Sequence, residues 1–426
     1  MSAVVGGSVR VEPVPDLRAS ANVEYAPAQQ LPDGAFTMFR PSVFFGTPAY
    51  TAADARAISP TLTPPPEAIP GWRVSGSLWP GERFIARIPK IWNGRLAVAG
   101  TPALRSEYAN DFIWSDPLLA RGYAYVSGNK SMGDGMVVLA GDARLIVDGV
   151  TLPRYFLPDG NAISFWQHAP GGTFRRWMRE FFSMTDTAKE AIVDVHGSEP
   201  EVVYAVGLSN GGGEVRWAAE LSDGYDGALV WNAVLWSKEH NLLRHLQQAT
   251  QLMDQGEKAK IEALGFPPDI IGRNGETLYA KNQRIYWRLT AWLHAMIFDP
   301  EASTTYEDVR NPSPAEAWNE RILSWRLERA PKILERIGSY PHTGSLRTKM
   351  IDLASEYDQF VTPQMHWEPY GRLVAAAGKA DLYRARLIPN AQHVDAWSED
   401  PNYPQMRPGY PDVMAAFDEL VAWVEN

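Results

Sequence analysis

There is no cysteine anywhere in the 426 residues. Disulfides, thiolate metal sites and cysteine nucleophiles are therefore excluded, while the compartment stays open, since a chain without thiols tolerates reducing and oxidising surroundings alike. No run of about 18 apolar residues occurs, which excludes a membrane-spanning helix. The N-terminal stretch Met1 to Arg10 lacks a basic segment followed by a long apolar one. No signal peptide is read there, and the cytoplasm is the default expectation, with a processed secreted form compatible as well. A basic surplus is also missing. The formal net charge of −10 argues against nucleic acid as a partner, because phosphate binding needs a basic surface.

What is present is the material of a large globular protein: 45% hydrophobic and 21% charged residues. The length suits one large domain carrying an insertion. Aromatic residues are abundant, with 16 tryptophans, 17 tyrosines and 15 phenylalanines. Such side chains fill cores and also line pockets for apolar or sugar-like ligands.

Residues 1–75 are rich in proline and read as an extended arm lying over a larger body. Alternation begins at Arg83 to Pro89, and short apolar runs follow at Arg95 to Gly100 and Gly122 to Ser127. Between those two runs, Ser115 to Gly122 has a cap-like start, a helical middle and a closing glycine. Strand, helix and strand at this spacing make a βαβ unit, and repetition of that unit gives a parallel sheet. Residues 133–160 read as a surface excursion, and Phe174 to His196 as a helix closed by Gly197. Further strands are expected at Glu201 to Gly207, Ala228 to Val234, Lys349 to Ala354 and Tyr383 to Ile388, with a last helix from Asp412 to Val424.

From 237 to 345 the strand-helix alternation gives way to helical segments, with Ile285, Leu289, Trp292, Leu293, Met296 and Ile297 on one face. The expected architecture is thus a mostly parallel, doubly wound α/β domain interrupted by a helical lid. Its divisions are an arm at 1–75, a core at 76–236, the lid at 237–345 and the rest of the core at 346–426.

The chemistry is carried by Gly207-Leu208-Ser209-Asn210-Gly211. A serine hydroxyl needs a base and an exposed position to act as a nucleophile. A sharp turn from strand to helix supplies the position, and small residues two before and two after the serine let the chain pass itself. Gly207 and Gly211 occupy those places, behind an apolar strand. A phosphate loop is excluded because Gly211-Gly212-Gly213-Glu214 lacks the closing Gly-Lys-Ser/Thr.

In this kind of fold the order is serine, acid, histidine. Asp358 lies just past the Lys349 to Ala354 strand and is the expected acid, with Asp352 inside the strand and Glu356 as weaker rivals. His393 follows the last strand and is the expected base. Oxyanion donors are expected at the amides of Asn210, directly after the nucleophile, and Thr101, in the loop after Gly100; Pro102 has no amide hydrogen. Trp287, Trp292, Trp318 and Trp325 are candidate walls of a substrate pocket, with lid packing as the competing role. Histidine spacings give no metal site, and no cofactor is expected.

On these residues the chain resembles the α/β-hydrolase superfamily, and within it the branch of tannases, feruloyl esterases and hydroxybutyrate-oligomer hydrolases. The resemblance rests on Tyr204 to Gly212, on Asp358 with Val361-Thr362-Pro363, and on the position of the insertion. It covers roughly 80–240 and 345–426, and it implies a serine esterase whose lid shapes the acyl or alcohol pocket. The cysteines and the acidic calcium loop of some members of that branch are missing here. The substrate expected is a small or oligomeric ester, apolar, aromatic or built of hydroxy acids. Acyl transfer, lactone opening and amide or C–C cleavage on the same fold are alternatives, and a silent binding scaffold is the remote one.

Overall fold

The computed structural model describes residues 8–19, 59–79, 82–103, 107–130, 173–283 and 331–426, with 35–36, 135–139, 146–147, 150–151, 155–156, 162–166, 287, 290–291, 294, 298 and 327. At its centre is a nine-stranded sheet. The strands are β1 (Ser8–Val14), β2 (Gly71–Trp79), β3 (Glu82–Pro89), β4 (Arg95–Gly100), β5 (Ala124–Gly128), β6 (Val202–Leu208), β7 (Gly227–Trp231), β8 (Lys349–Ser355) and β9 (Tyr383–Ile388). Their order is β1-β2-β3-β5-β4-β6-β7-β8-β9. The β1–β2, β2–β3 and β3–β5 pairs are antiparallel, and from β5 onward every pair is parallel. An antiparallel margin, one exchange of order (β5 before β4) and a parallel remainder make this an α/β-hydrolase fold.

Parallel strands are covered on both faces, and the strand residues divide accordingly. Val203 and Ala205 of β6 join Trp177, Met178, Val215 and Trp217 on one side. Tyr204, Val206 and Leu208 join Phe417 and Leu420 on the other. The helices responsible are α1 (Phe174–His196) and α2 (Asn210–Leu221) on the first face and α5 (Tyr410–Glu425) on the second. The ends of α1 follow from local chemistry. The Thr173 hydroxyl accepts from the Arg176 amide at 3.3 Å, and Gly197 leaves the helix at φ 80°.

Two expectations change. The proline-rich arm is not without regular structure: β1 pairs along its length with β2, so the division at 75 falls inside a strand. Glycine and serine separate the buried Val74 and Leu78 of β2 and dilute its alternation. Ser115 does not start a helix. The helical run begins at Asp111 and continues through Asp116–Leu119, while the Ser115 hydroxyl accepts from the buried Arg87 guanidinium at 2.6 Å. That guanidinium also grips Asp111 at 2.6 and 2.7 Å.

Within 133–160, Gly135–Leu139 pairs with Ala162–Trp166 and with Ala35–Phe36 in a second, small antiparallel sheet. Between 237 and 345 the described segments include α3 (Leu242–Asp254), two shorter helices at Lys258–Ala263 and Leu278–Asn282, and α4 (Pro331–Gly338). Trp292, Trp318 and Trp325 lie outside the described residues. No helix among the described residues is long and apolar enough to cross a membrane.

Candidate active site

β6 ends at Leu208 and α2 begins at Asn210, so Ser209 alone makes the turn. Its backbone sits at φ 59° and ψ −125°, a region that costs a residue with a Cβ about 1–3 kcal/mol. Surrounding hydrogen bonds hold it there. The Ser209 amide donates to the Trp231 carbonyl at 3.0 Å, and its own carbonyl accepts from Gly213 and Val234 at 3.1 and 3.0 Å. The glycines are required by contact. A Cβ on Gly207 would stand 2.4 Å from the Gly211 carbonyl oxygen, and one on Gly211 would stand 2.1 Å from that of Gly100. Strand β4, the elbow and the first turn of α2 therefore touch backbone to backbone.

Asp358 lies in the loop beyond β8 and is fully buried. Its Oδ1 accepts from the amides of Phe360 and Val361, both at 2.8 Å, which leaves Oδ2 for His393 Nδ1 at 2.7 Å. The His393 ring stands edge-on to Phe360, centroids 4.7 Å apart. With Nδ1 turned to the carboxylate, Nε2 is the nitrogen left for a reacting group.

Asn232, unnoticed in the sequence, brackets the elbow and the histidine loop. It follows β7 at φ 49°, a conformation asparagine tolerates better than most residues. Its Nδ2 donates to the carbonyls of Gln392 and His393 at 3.2 and 2.9 Å, and its Oδ1 accepts from the Ser355 amide at 2.7 Å. Trp231, which holds the Ser209 amide, is its chain neighbour. An asparagine directly after an apolar strand was the available signal, but its partners lie up to 161 positions away.

The two expected oxyanion donors fare differently. Asn210 opens α2, where amides lack intrahelical acceptors. The Thr101 amide is already engaged, donating to the buried Glu214 carboxylate at 3.0 Å. It is therefore not free for an oxyanion, because Glu214 reaches it from α2. The rival acids are placed elsewhere as well. Asp352 faces Arg216 at 2.6 Å and the Tyr383 hydroxyl at 2.9 Å. Glu356 accepts from the Asn390 amide at 2.9 Å on an exposed edge.

Among the candidate pocket tryptophans, Trp287 is described, and it is wholly buried against Phe266 and Tyr279 with Nε1 donating to the Gln359 carbonyl at 2.7 Å. It is packing, tied by its one polar atom. A different residue of the 237–345 segment, His294, reaches the elbow. Trp236 Nε1 is 3.2 Å from Asn210 Oδ1, Asn210 Nδ2 is 2.6 Å from His294 Nε2, and His294 Nδ1 is 2.7 Å from the Thr290 carbonyl. An indole N–H can only donate, so each bond of this chain has one direction: tryptophan to asparagine, asparagine to histidine, histidine to carbonyl. His294 is thereby neutral with its proton on Nδ1, and burial pushes it down to about 4. Beside His393 a small recess is lined by Asn282, Tyr357, Gln359, Gln392, Val394 and Trp397. No group of three or more histidines and carboxylates among the described residues is arranged for a metal ion.

No family model matches the chain, and no curated protein matches it. Solved structures do. Feruloyl esterase B from Aspergillus oryzae is 12% identical at a TM-score of 0.48, covering 99% of this chain and 88% of its own. An esterase from Aspergillus oryzae, also 12% identical, has a TM-score of 0.46 with 98% and 86% covered. Tannin acyl hydrolase from Aspergillus niger is 14% identical at 0.43, with 98% and 83% covered. Identities this low say nothing of substrate, so the chemistry rests on the residues.

Proposed function

We propose that the protein is a carboxylic ester hydrolase working through Ser209, His393 and Asp358. The observation that carries this reading is the Ser209 backbone, a non-glycine residue held at φ 59° between a buried strand and a helix N-terminus. Strain of this kind persists where the surroundings over-determine it, and at a strand-to-helix turn it presents a hydroxyl.

In the proposed reaction His393 Nε2 takes the Ser209 Oγ proton as Oγ attacks the ester carbonyl. The oxyanion is held by the Asn210 amide and a second backbone donor. The same proton goes to the departing alcohol, leaving an acyl-serine. Water, deprotonated by His393, then releases the acid. Asp358 keeps the ring in the tautomer with the proton on Nδ1. The segment 237–345 acts as a lid over this centre and selects the acyl or alcohol part, with apolar, aromatic or oligomeric hydroxy esters as the substrates.

The test is labelling by a fluorophosphonate together with hydrolysis of nitrophenyl esters of graded acyl length. The wild type is expected to be labelled and active, and Ser209→Ala to be neither. Equal hydrolysis of every ester by the two proteins would falsify the reading, and faster cleavage of amide analogues would replace ester by amide hydrolysis.

A further inference from the structure

The loop Gly100–Ala103 lies against the elbow, since Gly100 and Gly211 meet backbone to backbone. Its amides can be taken one by one. Thr101 donates to Glu214 at 3.0 Å. Pro102 has no N–H. Ala103 comes next, and it stands at φ 49°, outside the ordinary range of a residue with a side chain.

A buried lysine holds it there. Lys130 follows β5 at φ 60°, and its Nζ donates to the carbonyls of Thr101 and of Ala103, the latter at 3.2 Å. The same ammonium meets Glu214 at 3.3 Å and lies 5.1 Å over the Trp177 ring. Glu214 belongs to α2, the helix that Ser209 opens. One carboxylate and one ammonium thus tie the loop after β4 to the helix of the nucleophile, gripping the amide and carbonyl of Thr101 and the carbonyl of Ala103. Both are nearly sealed from solvent, Lys130 at 2% exposure and Glu214 at 2%. A buried ion pair adds little net stability over well-packed apolar residues, so the bonds to the loop are what this one contributes.

On the serine hydrolase reading above, we infer that the Ala103 amide is the second oxyanion donor, and that Lys130 and Glu214 are positioning residues that aim it. Burial pushes the Glu214 carboxyl up to about 7 against the opposing pull of Lys130 and of the Thr101 amide.

The test compares wild type with Lys130→Met and Glu214→Gln in ester hydrolysis, and in inhibition by an alkyl boronic acid, whose serine adduct carries the tetrahedral negative charge. Loss of one aimed oxyanion donor is expected to lower kcat for Lys130→Met by about a hundredfold. KM should stay within about threefold, and boronate affinity should fall in step with kcat/KM. Glu214→Gln keeps an acceptor for the Thr101 amide and is expected to lose about tenfold in the same two readouts. Where Lys130→Met fails to fold by circular dichroism, Glu214→Gln decides alone. Folded variants with kcat and boronate affinity within threefold of wild type, or with the loss confined to KM, would overturn the inference. Fluorophosphonate labelling of Ser209 in the wild type separates the two levels: its absence removes the serine hydrolase reading itself, and its presence beside unaffected variants removes only the roles of Ala103, Lys130 and Glu214.

Discussion

Asp352 and Asp358 stand at the two ends of one short stretch of chain, six residues apart, and both are fully buried. Around Asp352 the partners are the Arg216 guanidinium at 2.6 Å and the Tyr383 hydroxyl at 2.9 Å, both on the same oxygen. Arg216 in turn lies over the Tyr370 ring at 4.0 Å, and the Tyr370 hydroxyl donates to Glu220 at 3.0 Å. Around Asp358 the partners are two loop amides and an imidazole. The first corner joins a permanent cation to a carboxylate and closes on itself. In the second, a carboxylate is satisfied by backbone on one oxygen and offers the other to a ring that can take up and release a proton. Burial and residue type are equal, so the partner determines the role.

The sharpest break between them is catalytic. Asp358→Asn keeps the shape but no longer favours the reactive tautomer of His393. The expected result is a fall in kcat of about 10⁴-fold for nitrophenyl ester hydrolysis, with a fold intact by circular dichroism. Undiminished kcat would remove Asp358 from the proposed triad.

Asp352→Asn should invert that pattern. It leaves the Arg216 guanidinium, with its side chain wholly buried, without a counter-charge, a loss of about 3–5 kcal/mol. Urea unfolding is expected to show that loss, while kcat per folded molecule stays within about twofold. A large drop in kcat with unchanged stability would show that the two corners had been assigned the wrong way round.

How far the two corners were legible in sequence follows from where their partners lie. The strand, serine and helix of the elbow obey rules that act within a few residues, as do α1 and its closing Gly197, β8 and β9. Asp358 stood out from Asp352 by position alone, past the strand end instead of inside it. What could not be read is the set of contacts made across the fold. Thr101 looked like a free amide because Glu214 is 113 positions away, and the grip of Lys130 on the same loop is equally invisible. The contacts of Asn232 and of His294 could not be read for the same reason. β2 was missed because its serines and glycine blur a pattern that rests on Val74 and Leu78.

Histidines sharpen the comparison at a smaller scale. His393 faces a carboxylate, whereas both hydrogen bonds of the His342 ring go to backbone: its Nδ1 accepts from the Trp236 amide at 3.0 Å and its Nε2 is 2.9 Å from the Gly213 carbonyl, while the ring stacks on Trp217. Burial pushes His342 down to about 3. A histidine whose folded value lies below its unfolded one adds stability above about pH 6.5, and that contribution is lost as pH falls, because the unfolded chain gains protons the folded one refuses. His342→Gln removes this dependence while keeping an acceptor and a donor. The variant is expected to be less stable at pH 7.5, with the gap to wild type closing by about 1.4 kcal/mol per pH unit below 6.5. Paired urea titrations at pH 7.5, 6 and 5 measure it, and a constant gap would contradict a neutral, backbone-bound His342.

The smallest expected effect tests whether the insertion belongs with the catalytic corner. His294 is the described residue of the insertion that bonds to the residue after the nucleophile, through Asn210 Nδ2 at 2.6 Å. Since Trp236 fixes the Asn210 oxygen, the Asn210 amide group cannot turn over to suit a new neighbour. His294→Leu therefore leaves a buried N–H without an acceptor, and the residue that carries the proposed oxyanion donor loses one of the two side-chain bonds that hold it. A loss of about 1.4 kcal/mol is the size of a single hydrogen bond, so kcat is expected to fall about tenfold with KM little changed. His294→Gln supplies an acceptor on a shorter reach and should recover part of that loss. If both variants matched wild type in kcat, the link would be packing between insertion and core. Recovery by glutamine and not by leucine is the pattern that only an acceptor for Asn210 explains, and it would tie the setting of the elbow to the segment proposed to choose the substrate.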